Sequence, residues 1–322
     1  MIAFLYLARL FGVVPFLKIE KQQLVATKWT LRTSLFFQSS MVTSYLVYLL
    51  NQEKIKYLMF GSFNSNDADD VPYLFTCIVT AFNYAVDLIS LTVIVLMSQK
   101  THKVLNVLLQ KFAIIDHKFS HHPKSKAGFF AILALSVYIA RTYYVFSRYD
   151  RFQISFNVGS RFIYGMTLFT EMLISLTCME IKSRYAKLHS LLKTSNGNCN
   201  LEEVRALHTI YSSLRDGHSL FAWHVRKVLL TDISQMVMLI VNGILSVYVI
   251  CLNKEDREQS IGWCASNGIF AADCIWRICF LVHNCGALQT EACPIFSFSY
   301  FLTIEMNTFI FLLLPLWCVV NF

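Results

Sequence analysis

Runs of about twenty apolar residues recur along this chain, and no other feature restricts its folding as severely. A helix needs roughly 20 mostly apolar residues to cross a hydrocarbon core about 30 Å thick. Such runs fall at Thr33–Leu50, Val71–Met97, Ala127–Phe146, Phe162–Cys178, Val228–Cys251, Ile261–Val282 and Ile295–Val320. A water-soluble fold of 322 residues, 56% apolar and only 15% charged, would leave large apolar patches in water. The lipid bilayer is therefore the expected partner of these surfaces. The expected fold is all-α, a single transmembrane unit of seven helices over residues 1–322. The same composition excludes a disordered chain and a disulfide-stapled miniprotein.

Orientation follows from the placement of positive charge. The N-terminal segment and the second and fourth connections carry 19 Lys and Arg between them, the first, third and fifth carry 7, and the sixth carries none. The N-terminus is expected on the cytoplasmic side and, after seven spans, the C-terminus outside. The net charge of +8 thus reports orientation. No polar segment interleaves basic residues with stacking aromatics, so nucleic acid is not an expected partner.

The opening run Met1–Leu17 is interrupted by Arg9, carries Pro15 near its end and is followed by the charged segment Lys18–Lys28. It reads as an interfacial helix leading into the first span rather than a secretory signal. In the fourth connection, Asn200 precedes Leu201 and places Glu203 three residues on, as in a capping box. Val204, Leu207, Ile210, Tyr211, Leu214, His218 and Phe221 then share one helical face. Helical cytoplasmic extensions that pack on one another are expected, the alternative being a lone amphipathic helix on the membrane surface.

Ionisable residues inside apolar runs are costly and mark sites worth examining. Asp87, Arg141, Glu171, Asp273, Arg277 and Glu305 qualify. Asp273 and Arg277, four apart, are expected to pair with each other. Arg141 is expected to snorkel to the outer surface. Glu171 is expected to accept from a neighbouring helix or to line a polar cavity.

No HExxH, glycine-rich phosphate loop, nucleophile elbow or CxxC occurs, so no enzyme, metal or cofactor is expected. The histidine sets His117/His121/His122 and His218/His224 read as solvated loop or helix-face residues. Cys251 and Cys264 flank the fifth connection as thiols, with a disulfide as the alternative. Tyr73, Tyr143, Tyr144, Phe162, Tyr164, Tyr248 and Trp263 gather near the outer ends of the runs. They form either an interfacial belt or the lining of a pocket for a small organic ligand. For the pocket, Tyr143, Tyr144, Tyr164, Tyr248 and Trp263 are the candidate ligand-binding residues.

Two kinds of seven-span receptor compare with this plan. Asp150-Arg151-Phe152 resembles the Asp-Arg-Tyr of G-protein-coupled receptors, but the charge count puts it outside. The expected Asn-Pro-x-x-Tyr and Cys-Trp-x-Pro are absent from the sequence. Gly12-Val13-Val14-Pro15-Phe16 resembles the Gly-aliphatic-aliphatic-Pro-Phe that leads into the first span of insect gustatory receptors, relatives of the insect odorant receptors. The long helical fourth connection, short outer connections and chain length are also similar to that family. The family closes with Thr-Tyr, five apolar residues and Gln-Phe. Here Leu314 and Pro315 replace Thr-Tyr, Leu316–Val320 supply the apolar residues, and Asn321-Phe322 replaces Gln-Phe. The connection 283–294 is also shorter than the cytoplasmic helix that precedes the last span in the family. The chain reads as a divergent member or as one whose C-terminal end is truncated or misread.

The resemblance implies a multi-pass plasma-membrane protein, a ligand-gated cation channel of four identical or similar subunits opened by a small-molecule tastant. A seven-helix G-protein-coupled chemoreceptor is the alternative. In a channel of this kind the last span lines a central pore. Leu314, Cys318 and Asn321 share one face of that span and are the pore candidates, with Pro315 allowing a bend.

Overall fold

Threonine chemistry starts the first long helix, Lys28–Asn51 (α2). The Thr30 N–H donates to Thr27 Oγ1 at 3.1 Å and the Thr27 N–H donates to Thr30 Oγ1 at 3.0 Å, a reciprocal cap on two backbone amides. The helix Ile2–Leu10 (α1) is closed by the Val13 N–H on the Ala8 carbonyl at 3.0 Å. A computed structural model describes residues 2–11, 13–14, 18–20, 23–25, 27–51, 70–119, 127–146, 154–194, 201–252 and 257–292. Between α1 and α2, strands β1 (Lys18–Glu20) and β2 (Gln23–Val25) pair antiparallel with Ile19 opposite Leu24. After α2 come α3 (Asp70–Phe119), α4 (Ala127–Phe146), α5 (Ile154–Thr194), α6 (Leu201–Leu252) and α7 (Arg257–Ala292).

The fold is all-α apart from that hairpin, which stands where a charged connection was expected. Among the described residues, no helix is long and apolar enough to cross a membrane. The expected last span, 295–320, lies outside the described residues, and so do Glu305, Leu314, Pro315, Cys318, Asn321 and the tripeptide Asp150-Arg151-Phe152.

Helix ends do not follow the hydropathy boundaries. α3 runs on to Phe119 past Met97, α5 runs on to Thr194 past Cys178, and α6 begins at Leu201, well before Val228. The sequence turns amphipathic there and contains no proline, and its single glycine, Gly217, is packed against Lys111 and Leu108, so the backbone continues. Leu105, Leu108, Phe112 and Ile115 of α3, Ile181, Tyr185 and Leu188 of α5, and Ile210, Leu214 and Phe221 of α6 are all buried in one core. Leu207 and Tyr211 pack against that core, so the described part of the expected apolar face, 207–221, meets partner helices and is not a lone surface helix.

An ion cluster ties these extensions together. Arg184 donates through Nε to Asp116 Oδ1 at 3.1 Å and through Nη2 to Asp116 Oδ2 at 2.6 Å. Its Nη1 reaches Glu180 Oε2 at 2.9 Å and the Glu180 carbonyl at 2.8 Å, while the guanidinium lies 3.8 Å from the Phe112 ring centre. Each of the three guanidinium nitrogens therefore has a partner.

α4 shows how the bundle divides inside from outside. Phe130, Ala131 and Ala134 are buried, whereas Phe129, Ile132, Ile139 and Tyr143 are 63%, 69%, 56% and 75% exposed. The outward stripe is as apolar as the inward one.

The opening segment docks on this bundle rather than leading separately into α2. Phe4, Leu5 and Ala8 are buried, and the Phe11 ring stacks on Phe169 at 4.2 Å and meets Tyr138 edge-on at 4.8 Å. Gly165 makes this possible, because a methyl group there would overlap the Phe11 ring and come 3.0 Å from Tyr138. Gly165→Ala is therefore expected to destabilise the protein. Overpacking costs about 1–3 kcal/mol, which outweighs the roughly 1 kcal/mol that alanine gains over glycine within a helix. A lower thermal midpoint in detergent checks it, and an unchanged or higher midpoint would mean that Phe11 moves aside freely.

Candidate functional site

Four helices each bring charge to one buried place. α5 and α7 lie side by side in the same direction, as the pairs Glu171 with Arg277, Cys178 with Cys285 and His189 with Glu291 show. Arg277 donates through Nε to Glu171 Oε2 at 2.8 Å and through Nη2 to Glu171 Oε1, a two-pronged ion pair with both side chains 3% exposed. Its Nη2 also reaches Thr167 Oγ1 at 3.3 Å. Thr167 and Glu171 are four apart on α5, so one guanidinium spans one turn of that helix.

Toward the end of α4, Arg141 pairs with Asp273 of α7. Tyr164 of α5 closes this half: its hydroxyl donates to Asp273 at 3.2 Å, and its ring carries the Arg141 guanidinium 4.0 Å from its centre. Arg277 lies 5.2 Å from the same ring. α6 contributes Asp232, 0% exposed and within electrostatic reach of both Glu171 and Arg277. The assembly thus holds two guanidiniums and three carboxyl groups. Buried ions are stable only while paired, so the Arg277–Glu171 and Arg141–Asp273 pairs fix the relative register of α4, α5 and α7.

These pairings revise two expectations. Asp273 does not take Arg277 as its main partner, since that contact is 3.9 Å and both residues bond more closely across helices. Arg141 does not snorkel; it points into the bundle at Asp273. Glu171 accepts from a neighbouring helix as expected. Asp232 was missed, although its position in the apolar run 228–251 is the same signal that picked out Glu171.

The aromatic candidates separate. Tyr164 is buried inside the network, whereas Tyr143 stands on the outward face of α4. The structure does not bring these two together. The side chains of Asp87, Tyr73, Tyr144, Phe162, Tyr248, Cys251, Trp263 and Cys264 lie outside the described set.

A cavity of about 30 Å³ opens between α3, α5 and α6, lined in part by Ser98, Thr101, Thr170, Phe221, His224 and Val228. It has room for a water molecule or two. Thr101 Oγ1 and His224 Nε2 are 3.0 Å apart beside it. Contrary to the solvated reading, His224 is buried and His218 half-buried. Burial holds His224 below the ordinary imidazole range, with the Lys100 charge adding to the effect, and burial alone does the same to His218.

A pH dependence follows. An unfolded chain protonates these rings near pH 6.5, while the folded one resists until lower pH. The unfolded state then binds more protons, so stability is full above about pH 6.5 and falls as pH drops below it. Thermal midpoints between pH 8 and pH 5.5 should decline on the acid side, and less steeply in His224→Gln. Identical pH profiles for the two proteins would contradict this.

Among the described residues there is no group of three or more His, Cys, Asp or Glu placed to hold a metal ion. No protein-family model matches the chain, and no curated protein is detectably similar to it.

Proposed function

We propose that the chain is a gustatory-type chemoreceptor of the insect kind, a multi-pass plasma-membrane protein that acts as a ligand-gated cation channel. It crosses the bilayer seven times with its N-terminus in the cytoplasm. The observation that carries the reading is an apolar exterior around a bundle that keeps its ion pairs inside. Arg277–Glu171 and Arg141–Asp273 pair in the interior while Phe36, Ile89, Leu96, Phe129, Ile132 and Ile244 point outward. Water is a poor solvent for that exterior, and hydrocarbon is a good one.

In this reading a small extracellular tastant binds among the second to sixth spans, near the outer aromatic residues, and favours one of two helix arrangements. Tyr164 belongs at once to the outer aromatic set and to the charged network. A ligand that disturbs its ring would alter the pairing of Arg141 and Asp273, and through Arg277 that of Glu171. Four similar subunits place their last spans, with Leu314, Cys318 and Asn321, around a pore.

Whole-cell recording from cells expressing the full chain, with G-protein signalling blocked, tests the proposal. Fast tastant-evoked cation currents under the block are expected. Loss of every response under the block would favour the G-protein-coupled alternative.

A further inference from the structure

The thiols of Cys178 on α5 and Cys285 on α7 face each other with their sulfurs 3.9 Å apart. They come from positions 107 residues apart in the chain and meet through helix packing alone. Cys178 is buried and Cys285 half-buried, so one sulfur is sheltered and the other can be reached by a small molecule. They sit seven and eight residues beyond Glu171 and Arg277, roughly 10–12 Å along the helices at about 1.5 Å per residue. The surrounding interface is thus already held in register by an ion pair.

From this geometry we infer that Cys178 and Cys285 form a peroxide-sensitive thiol pair that closes reversibly into a disulfide between α5 and α7. The hydrogen bond from the Cys178 thiol also holds Cys285 below the ordinary thiol range and so favours its thiolate. The chemistry balances with hydrogen peroxide as the oxidant. The Cys285 thiolate attacks one peroxide oxygen, the O–O bond breaks, and sulfenic acid and hydroxide form. Cys178 sulfur then attacks the sulfenic sulfur; the S–S bond forms, and the hydroxyl group leaves as water with the Cys178 proton. The proton released when Cys285 ionised neutralises the hydroxide. Overall, two thiols lose two electrons and two protons, and peroxide is reduced to two waters. The orientation proposed above puts this end of α5 and α7 in the cytoplasm, where thiols rest in the reduced state. The pair itself depends only on helix packing and holds whether or not the chain conducts ions.

The test uses the full chain in detergent, treated with dilute hydrogen peroxide, cleared of peroxide, then denatured, alkylated, digested without reductant and mapped by mass spectrometry. The expected product is the Cys178 peptide joined to the Cys285 peptide, two hydrogen atoms lighter than their sum and lost on adding dithiothreitol. Cys274 and Cys279, also on α7, serve as internal controls and remain alkylatable. In Cys178→Ser, Cys285 should instead accumulate as a sulfenic acid trapped by dimedone. If that variant fails to fold, the wild-type peptide map alone decides. Both thiols staying fully alkylatable after peroxide would overturn the inference. So would Cys285 proceeding to sulfinic acid, or pairing with Cys279, without any Cys178–Cys285 peptide.

Discussion

Arg277→Leu is expected to remove about 3–5 kcal/mol of stability, a large fraction of what a folded protein of this kind has. The loss is not mainly that of two hydrogen bonds. Without the guanidinium, Glu171 keeps its carboxyl group 3% exposed with its paired cation gone, and Asp232 remains fully buried close by. Two neighbouring carboxyl groups in a dry interior can neither ionise together nor reach water. The companion experiment is Glu171→Leu/Arg277→Leu, which removes both charges and fills the space with hydrocarbon. That double variant should recover much of the loss, since a buried ion pair exchanged for apolar groups is often close to neutral. Surface biotinylation and thermal midpoints in detergent report both. A single variant as stable as the wild type would mean that the pair contributes nothing.

Arg184→Ala should be comparably severe, again about 3–5 kcal/mol. This side chain joins α3 to α5 outside the apolar runs, through Asp116 and Glu180, and lies over the Phe112 ring. Alanine leaves the Asp116 and Glu180 carboxylates without their shared cation and uncovers the ring. Arg184→Lys keeps the charge but loses the planar fork that holds Asp116 by two bonds, so it should fall between the wild type and alanine. Limited proteolysis should cut faster within 98–119 and 179–194 in the alanine variant. Unchanged cleavage there would show that the extensions pack without this cluster.

Much of the helical layout was legible because apolar periodicity and run length are local signals. The run Ala127–Phe146 coincides with α4 from end to end. The face Leu207, Ile210, Tyr211 and Leu214 is the face that packs. Helix ends were less legible, since a fall in hydropathy marks where lipid would stop, not where backbone hydrogen bonding stops. α6 accordingly joins the amphipathic stretch from Leu201 and the apolar run to Cys251 in one piece.

Partner choice was the least legible property. The spacing of Asp273 and Arg277 permits a local pair, yet each finds a better-placed partner on another helix, and only tertiary packing decides between them. Cys178 and Cys285 carry no motif at all; their meeting is a consequence of how α5 lies along α7.

The proposed placement of the bundle in lipid, with its N-terminus in the cytoplasm, rests on 19 against 7 positive charges and on the apolar exterior. Epitope tags placed at the N-terminus and at Asn66, read by antibody on intact and permeabilised cells, test it most directly. The Asn66 tag should be labelled on intact cells and the N-terminal tag only after permeabilisation. An N-terminal tag labelled on intact cells, with Asn66 reached only after permeabilisation, would contradict both the orientation and the receptor reading built on it.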